Sequence, residues 1–110
     1  MASSKVPLRF LPVIPSGIAR VVSLVSGGNV TAGSTVNSDY IYYVSDGSQI
    51  TLPTAVGNTN RYTIIRTGIL TVPIATILSQ TINGAISPLN LIKQYTSVDL
   101  ISNGSNWFIH

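Results

Sequence analysis

The sequence contains no cysteine and no glutamate, and it has a single histidine, His110. The lack of cysteine excludes a disulfide framework and a thiolate zinc site. Acid–base catalysis usually needs a histidine or closely placed carboxylates, whereas the aspartates, Asp39, Asp46 and Asp99, are scattered along the chain. The sequence therefore predicts no catalytic residue, no metal site and no cofactor, and we do not expect an enzyme.

Charged residues are also scarce. They make up 8% of the 110 residues, while hydrophobic residues reach 45%. An ordinary soluble domain carries about 25% charged residues. A folded chain with so little charge needs partner subunits to cover part of its surface, so the composition predicts self-association.

The formal net charge of +3 comes from basic residues that are well separated. They are Lys5, Arg9, Arg20, Arg61, Arg66 and Lys93. Because they form no basic stripe, we do not expect nucleic-acid binding. The most apolar run, residues 69–78, is too short to cross a bilayer and contains Pro73, so we do not expect membrane anchoring either.

Residues 1–19 differ in character from the rest of the chain. Pro7, Pro12 and Pro15 forbid a regular helix and favour an extended course. Apolar residues lie between them, whereas disordered tails are normally polar. We therefore predict an extended N-terminal arm that docks on a neighbouring chain through Val6, Leu8, Phe10, Leu11, Val13 and Ile14.

From residue 20 to residue 110 the sequence is rich in Val, Ile, Thr and Tyr in short runs, which Gly, Asn, Ser and Pro separate. This composition is typical of strands and turns. It predicts a single compact all-β domain, an antiparallel sandwich or a jelly-roll-like module, with a small barrel as an open alternative. The predicted strands are 20–26, 39–45, 48–52, 61–67, 69–74, 80–82, 89–93, 96–102 and 105–109.

Two dipeptides, Asp46-Gly47 and Asn103-Gly104, are strong signals for two-residue hairpin turns. In both hairpins the predicted register gathers large apolar side chains on one face of the sheet. The predicted pairs are Tyr43 with Ile50, Ile41 with Leu52, Leu100 with Trp107, and Val98 with Ile109. These eight residues form the predicted core.

The opposite face of the first hairpin carries Tyr40, Tyr42 and Val44. Both sides of this strand are therefore apolar or aromatic. Two explanations are open: the strand is central in a sandwich, or it lies in a subunit contact. We take these three residues as candidates for a subunit interface.

Three stretches carry a resemblance to a known group of proteins. They are SDGSQITLPTAVGNTNRYTI, QTINGA and YTSVDLISNGSNWFI, within residues 45–66 and 80–109. Together they resemble a small all-β module of virion proteins from tailed bacteriophages. The resemblance implies a module that forms homotrimers on capsid surfaces, baseplates or tail fibres. The apolar run in residues 66–79 departs from the more polar pattern of that group.

We therefore expect a structural protein of the virion, made in the host cytoplasm, that decorates and stabilises the capsid. Its expected partners are copies of itself and the major capsid protein or another virion protein, and no small-molecule ligand is expected. The alternative is a tail-fibre or baseplate component that binds a host receptor through exposed loops such as residues 54–60.

Overall fold

The structure is a computed structural model that describes residues 17–110, and within them it contains nine strands and no helix. The predicted arm residues, Val6 to Ile14, lie outside the described residues. The strands are β1 (Ala19–Ser26), β2 (Asn29–Thr31), β3 (Ser38–Ser45), β4 (Gln49–Thr51), β5 (Arg61–Arg66), β6 (Val72–Ala75), β7 (Leu89–Leu91), β8 (Ser97–Ser102) and β9 (Trp107–Ile109). The predicted all-β class is confirmed.

The first six strands belong alternately to two sheets, so the chain winds from one sheet to the other as a coil. One sheet has five strands in the order β9-β8-β5-β3-β1, and the other has four in the order β2-β4-β6-β7. Successive turns of the coil pair in parallel, with Ala19 beside Ser38 and Asp39 beside Arg61. One turn therefore takes roughly 20 residues, a period found in solenoid folds. The predicted antiparallel pairing was wrong, because both sheets are mixed and the strands of the coil pair in parallel.

The last third of the chain runs back against the coil. Strand β7 pairs antiparallel with β6, and β8 pairs antiparallel with β5 before β9 returns along β8. This reversed part extends both sheets beyond the third turn and covers that end of the coil. At the other end, β1 and β2 are edge strands of their sheets. The described part therefore has one end closed by its own chain and one open end.

The turn at Asp46-Gly47 forms, but it does not make the predicted hairpin. Both residues have positive φ, 58° and 69°, as such a tight turn requires. The strands on either side of it belong to different sheets, so Tyr43 does not pair with Ile50. Instead, Ile50 pairs in parallel with β2 and with β6. The turn is a corner of the coil.

The second predicted hairpin exists, but its register differs by two residues. The loop covers residues 103–106, and Trp107 pairs with Ser102. The Oδ1 atom of Asn103 accepts hydrogen bonds from two backbone N–H groups of this loop, at 3.0 and 2.9 Å. These bonds stabilise a four-residue loop in place of a two-residue turn. As a result Ile109, predicted in the core, ends the edge strand β9 and is 43% exposed.

The space between the sheets is filled by the inward side chains of both. Tyr40 and Tyr62 lie in register on neighbouring strands, and their rings stack with centroids 5.3 Å apart. The ring of Trp107 meets Tyr62 edge-on at 5.2 Å. The predicted core residues that lie buried here are Ile50, Leu52, Val98, Leu100 and Trp107.

The two faces of β3 are the reverse of the prediction. Tyr40, Tyr42 and Val44, the candidates for a subunit interface, are buried between the sheets. Ile41 and Tyr43, predicted in the core, point away from it. The cause is the turn at 46–47: because the chain crosses to the other sheet, the core lies on the side of β3 that carries the even-numbered residues.

Two other differences concern short segments. Residues 29–31, which are not among the predicted strands, form strand β2, and they pair in parallel with residues 49–51. Residues 80–82 form only isolated bridges, from Ile82 to Ala85 and to Trp107. Both segments depend on a neighbour distant in sequence, which local composition does not reveal.

We predict that Trp107→Ala lowers the free energy of unfolding by about 3–5 kcal/mol, because it removes a fully buried ring. Urea unfolding measures the loss. Trp107→Phe is the matched control and should lose much less, since the indole Nε1 has no hydrogen-bond partner within residues 17–110 to forfeit. A loss below about 1 kcal/mol for the alanine variant would show that the ring is not a core residue.

Candidate interaction surface

The outward side of the five-stranded sheet carries large apolar side chains that the described residues leave exposed or half-buried. They alternate with the buried residues along each strand, so the burial of Tyr40 and Tyr42 turns Ile41 and Tyr43 outward. We call this surface the outer sheet face. Its apolar residues are Val22, Leu24, Ile41, Tyr43, Ile65, Ile101 and Phe108.

These apolar residues are contiguous across the parallel strands. Val22 lies beside Ile41, and Leu24 lies beside Tyr43, which in turn lies beside Ile65. Leu24 is 85% exposed and Tyr43 is 38% exposed. A continuous patch of this kind is uncommon on an isolated soluble protein and usually marks a contact surface.

A shallow groove crosses this face at the ends of its parallel strands. It has a volume of about 370 Å³, and its walls include Leu24, Tyr43 and Thr67. Ser26 and Ser45 also line it. The groove therefore forms a recess in the outer sheet face beside Leu24 and Tyr43.

Charges on the outer sheet face alternate in sign. Arg20 lies beside Asp39, and Asp39 lies beside Arg61. Further along, Asp99 lies beside Thr63 and accepts a hydrogen bond of 2.7 Å from its hydroxyl group. The face therefore combines two cations and two anions with its apolar centre, although the whole chain carries a net charge of +3.

A second apolar surface lies at one corner of the coil. The loops of residues 67–71 and 92–96 meet there, and the backbone N–H of Tyr95 donates to the Arg66 carbonyl at 2.8 Å. Ile92 is 76% exposed and Tyr95 is 75% exposed. We call this surface the apolar corner, formed by Ile69, Leu70, Ile92 and Tyr95.

The side chain of Arg66 connects the two loops that form the apolar corner. Its side chain is buried, although it carries a charge. Nε donates to the carbonyl of Gly68 at 3.0 Å, and Nη1 donates to the carbonyls of Leu91 and Ile92. The guanidinium group thus ties the two corner loops through backbone oxygens. Its role in the described structure is to fix the shape of this surface.

At the opposite corner, buried tyrosines hold the loop of residues 32–37. Tyr42 accepts a hydrogen bond from the backbone N–H of Gly33 at 2.8 Å, and Tyr62 donates to the Gly33 carbonyl at 2.7 Å. Tyr40 accepts from the backbone N–H of Thr35 at 2.9 Å. The three hydroxyl groups thereby tie the backbone of this loop to the core.

The environments of Tyr40 and Tyr42 shift the pKa values of their hydroxyl groups in opposite directions. Hydrogen bonds from Thr35 lower the pKa of Tyr40 below its ordinary value. Burial raises the pKa of Tyr42. Both hydroxyls are engaged in hydrogen bonds to the 32–37 loop.

The loop of residues 54–60, expected to be exposed, lies next to the 32–37 loop. Together they enclose a pocket of about 220 Å³ lined by serine, threonine, asparagine and valine side chains and Gly57. Asn58 donates to the Tyr62 hydroxyl at 2.9 Å, and the Asn60 amide oxygen accepts from the Ser38 N–H at 3.0 Å. The asparagines are thus bound to their own chain, which makes the pocket rigid.

Among residues 17–110, no three histidine, cysteine or acidic side chains come together as a metal site would require. The same residues include no helix long and apolar enough to span a membrane. No protein-family model matches the chain, and no curated protein is similar to it at a significant level.

Sequence reasoning missed both apolar surfaces. The outer sheet face was hidden by the hairpin register, which placed Ile41 and Tyr43 inside. For the apolar corner, the sequence shows the apolar residues Ile69 and Ile92 next to turn residues. Only the fold brings their two loops together. Arg66 gave no signal, because its partners are backbone carbonyls distant in sequence.

We predict that Gly33→Ala destabilises the protein by about 1–3 kcal/mol through overpacking. An added Cβ would lie 2.4 Å from the nearest atom of the Tyr40 ring, which the stacked core holds in place. Urea unfolding measures the effect, and Ser34→Ala in the same loop is the control. Equal midpoints for the two variants would contradict the close packing of this loop on the ring.

Proposed function

We propose that this protein is a structural protein of a bacteriophage virion that decorates the capsid as a homotrimer, without catalysing a reaction. The proposal is supported by the resemblance of residues 45–66 and 80–109 to a phage virion module. It is supported independently by the amount of apolar surface that the described residues leave uncovered.

The observation that carries the proposal is the exposure of large apolar side chains on separate surfaces. Leu24 lies on the outer sheet face, whereas Ile69 and Ile92 lie at the apolar corner, and all three are largely exposed. An isolated protein with such patches would aggregate, whereas an assembled subunit buries them. A subunit with neighbours on more than one side therefore suits this surface better than a freely diffusing protein does.

The mechanism is mechanical. The coil provides a rigid body, because its loops are fixed by hydrogen bonds such as those of Arg66 and Tyr62. Copies gather around an axis through apolar contacts, while the arm of residues 1–16 lies along neighbouring capsid subunits. Apolar side chains and main-chain hydrogen bonds supply the affinity of such an arm. The weak contacts of the three arms on one trimer together give a strong attachment.

A second candidate function is receptor binding by a tail-fibre or baseplate component. The pocket between residues 32–37 and 54–60 favours it, because a rigid polar pocket on loops is a common form of recognition site. Purified protein should then compete with phage adsorption to host cells. Adsorption that is unchanged by an excess of the protein would count against this function.

Removing residues 2–16 tests the decoration function. The deletion leaves all described strands intact, so we expect the shortened protein to fold while its binding to undecorated particles falls at least tenfold. Binding is measured by cosedimentation. The matched control keeps the arm length but replaces Leu8, Phe10 and Leu11 with serine, and it should lose binding as well.

Unchanged binding by both variants would contradict the proposed role of the arm. Failure of the full-length protein to bind any capsid of its phage would contradict the decoration function itself.

A further inference from the structure

We propose that the outer sheet face is the surface through which copies of this chain contact one another, head to tail in a closed ring. The inference rests on the proposed function, because it assigns the copy-to-copy contact of the proposed trimer to particular residues. Those residues differ from the ones that the sequence suggested, Tyr40, Tyr42 and Val44, which are buried within one chain.

Both margins of the outer sheet face expose large apolar side chains. At one margin, β1 exposes Val22 and Leu24, and at the other margin β9 exposes Phe108. Strand β1 is also a sheet edge, so one side of its backbone has no strand partner in the described part of the chain. The outer side of β9 is hydrogen-bonded to residues 81–83, so this margin offers the side chain of Phe108 and no free backbone. A contact that joins the β1 margin of one copy to the β9 margin of the next covers the apolar side chains of both margins and the free edge of β1.

The charges of the two margins are opposite. Arg20 stands on β1, whereas Asp99 stands on β8, next to the β9 margin. A head-to-tail contact therefore brings Arg20 of one copy towards Asp99 of the next. A two-fold contact between two β1 margins would bring together no cation and anion of the two strands, because Arg20 is the only charged residue of β1. The charge arrangement favours the head-to-tail contact, and such a contact buries every margin only when the ring closes.

The charge balance also identifies the partner as a second copy of this chain. The charged residues of the outer sheet face are two arginines and two aspartates: Arg20, Arg61, Asp39 and Asp99. A surface that had to attract a nucleic acid or an acidic protein would carry an excess of one sign. Alternating signs around an apolar centre are complementary to a surface of the same kind.

Light scattering of the full chain at micromolar concentration tests the inference. We expect the wild type to have three times the monomer mass of 11.7 kDa and Leu24→Glu to have the monomer mass. Leu24 is 85% exposed, so this change should leave the fold intact, which circular dichroism checks. The control Ile92→Glu places the same charge at a site 76% exposed on the apolar corner, and it should keep the trimer mass.

A charge exchange tests the pairing across the ring. Arg20→Asp and Asp99→Arg should each shift the mass towards the monomer, and the double variant should restore the trimer. Restoration would support the contact between the two margins. A folded Leu24→Glu protein that keeps the trimer mass would overturn the inference, as would a double variant no better than either single variant.

Capsid cosedimentation of the same samples separates this inference from the proposed function. A wild-type trimer that fails to bind particles contradicts the decoration function while the interface stands. A wild-type chain that is monomeric but binds particles contradicts the interface while the decoration function stands.

Discussion

The structure depends on the stacking of inward side chains from successive turns of one coil. Tyr40 and Tyr62 occupy the same row of neighbouring parallel strands, and their stacked rings fill the space between the two sheets. Trp107, from the reversed end of the chain, closes this row edge-on against Tyr62. Once these rings point inward, the residues between them must point outward. The exposure of Ile41 and Tyr43 is therefore a direct consequence of how the core is built.

A coil with few charges needs other means to fix its loops. In this chain the buried tyrosine hydroxyls and the guanidinium group of Arg66 bind loop backbone, and asparagine side chains close loops locally. Such bonds satisfy buried polar groups without placing charges on the surface. The outside of the molecule is therefore left free to be apolar, as a subunit in an assembly can be.

The sequence predicted the positions of the strands better than the pairing between them. Strand positions such as 39–45 and 96–102 followed from β-branched and aromatic runs, and the turns at Asp46 and Asn103 were correctly located. The pairing was wrong at the first turn, because a tight turn looks the same whether it joins two strands of one sheet or crosses between two sheets. Which of the two connections forms depends on parallel partner strands, such as β2 for β4, that lie about one turn of the coil away in the sequence.

The same error decided which residues looked functional. Alternation along β3 correctly separated Tyr40, Tyr42 and Val44 from Ile41 and Tyr43, but it could not say which set faces the core. Only the position of the second sheet settles that choice. The basic and acidic residues of the outer sheet face also looked unrelated in sequence, and the register of the strands places them side by side.

The proposed function joins these features into one account, in which a rigid coil covers its apolar face with its own copies and uses its arm to bind a shell. Electron cryomicroscopy of the intact virion, with the chain traced in the density, tests that account most directly. We predict trimers on the outer surface of the capsid, with the outer sheet faces buried between copies and residues 1–16 lying on capsid subunits. Copies found only on the tail, with the outer sheet face open to solvent, would contradict it.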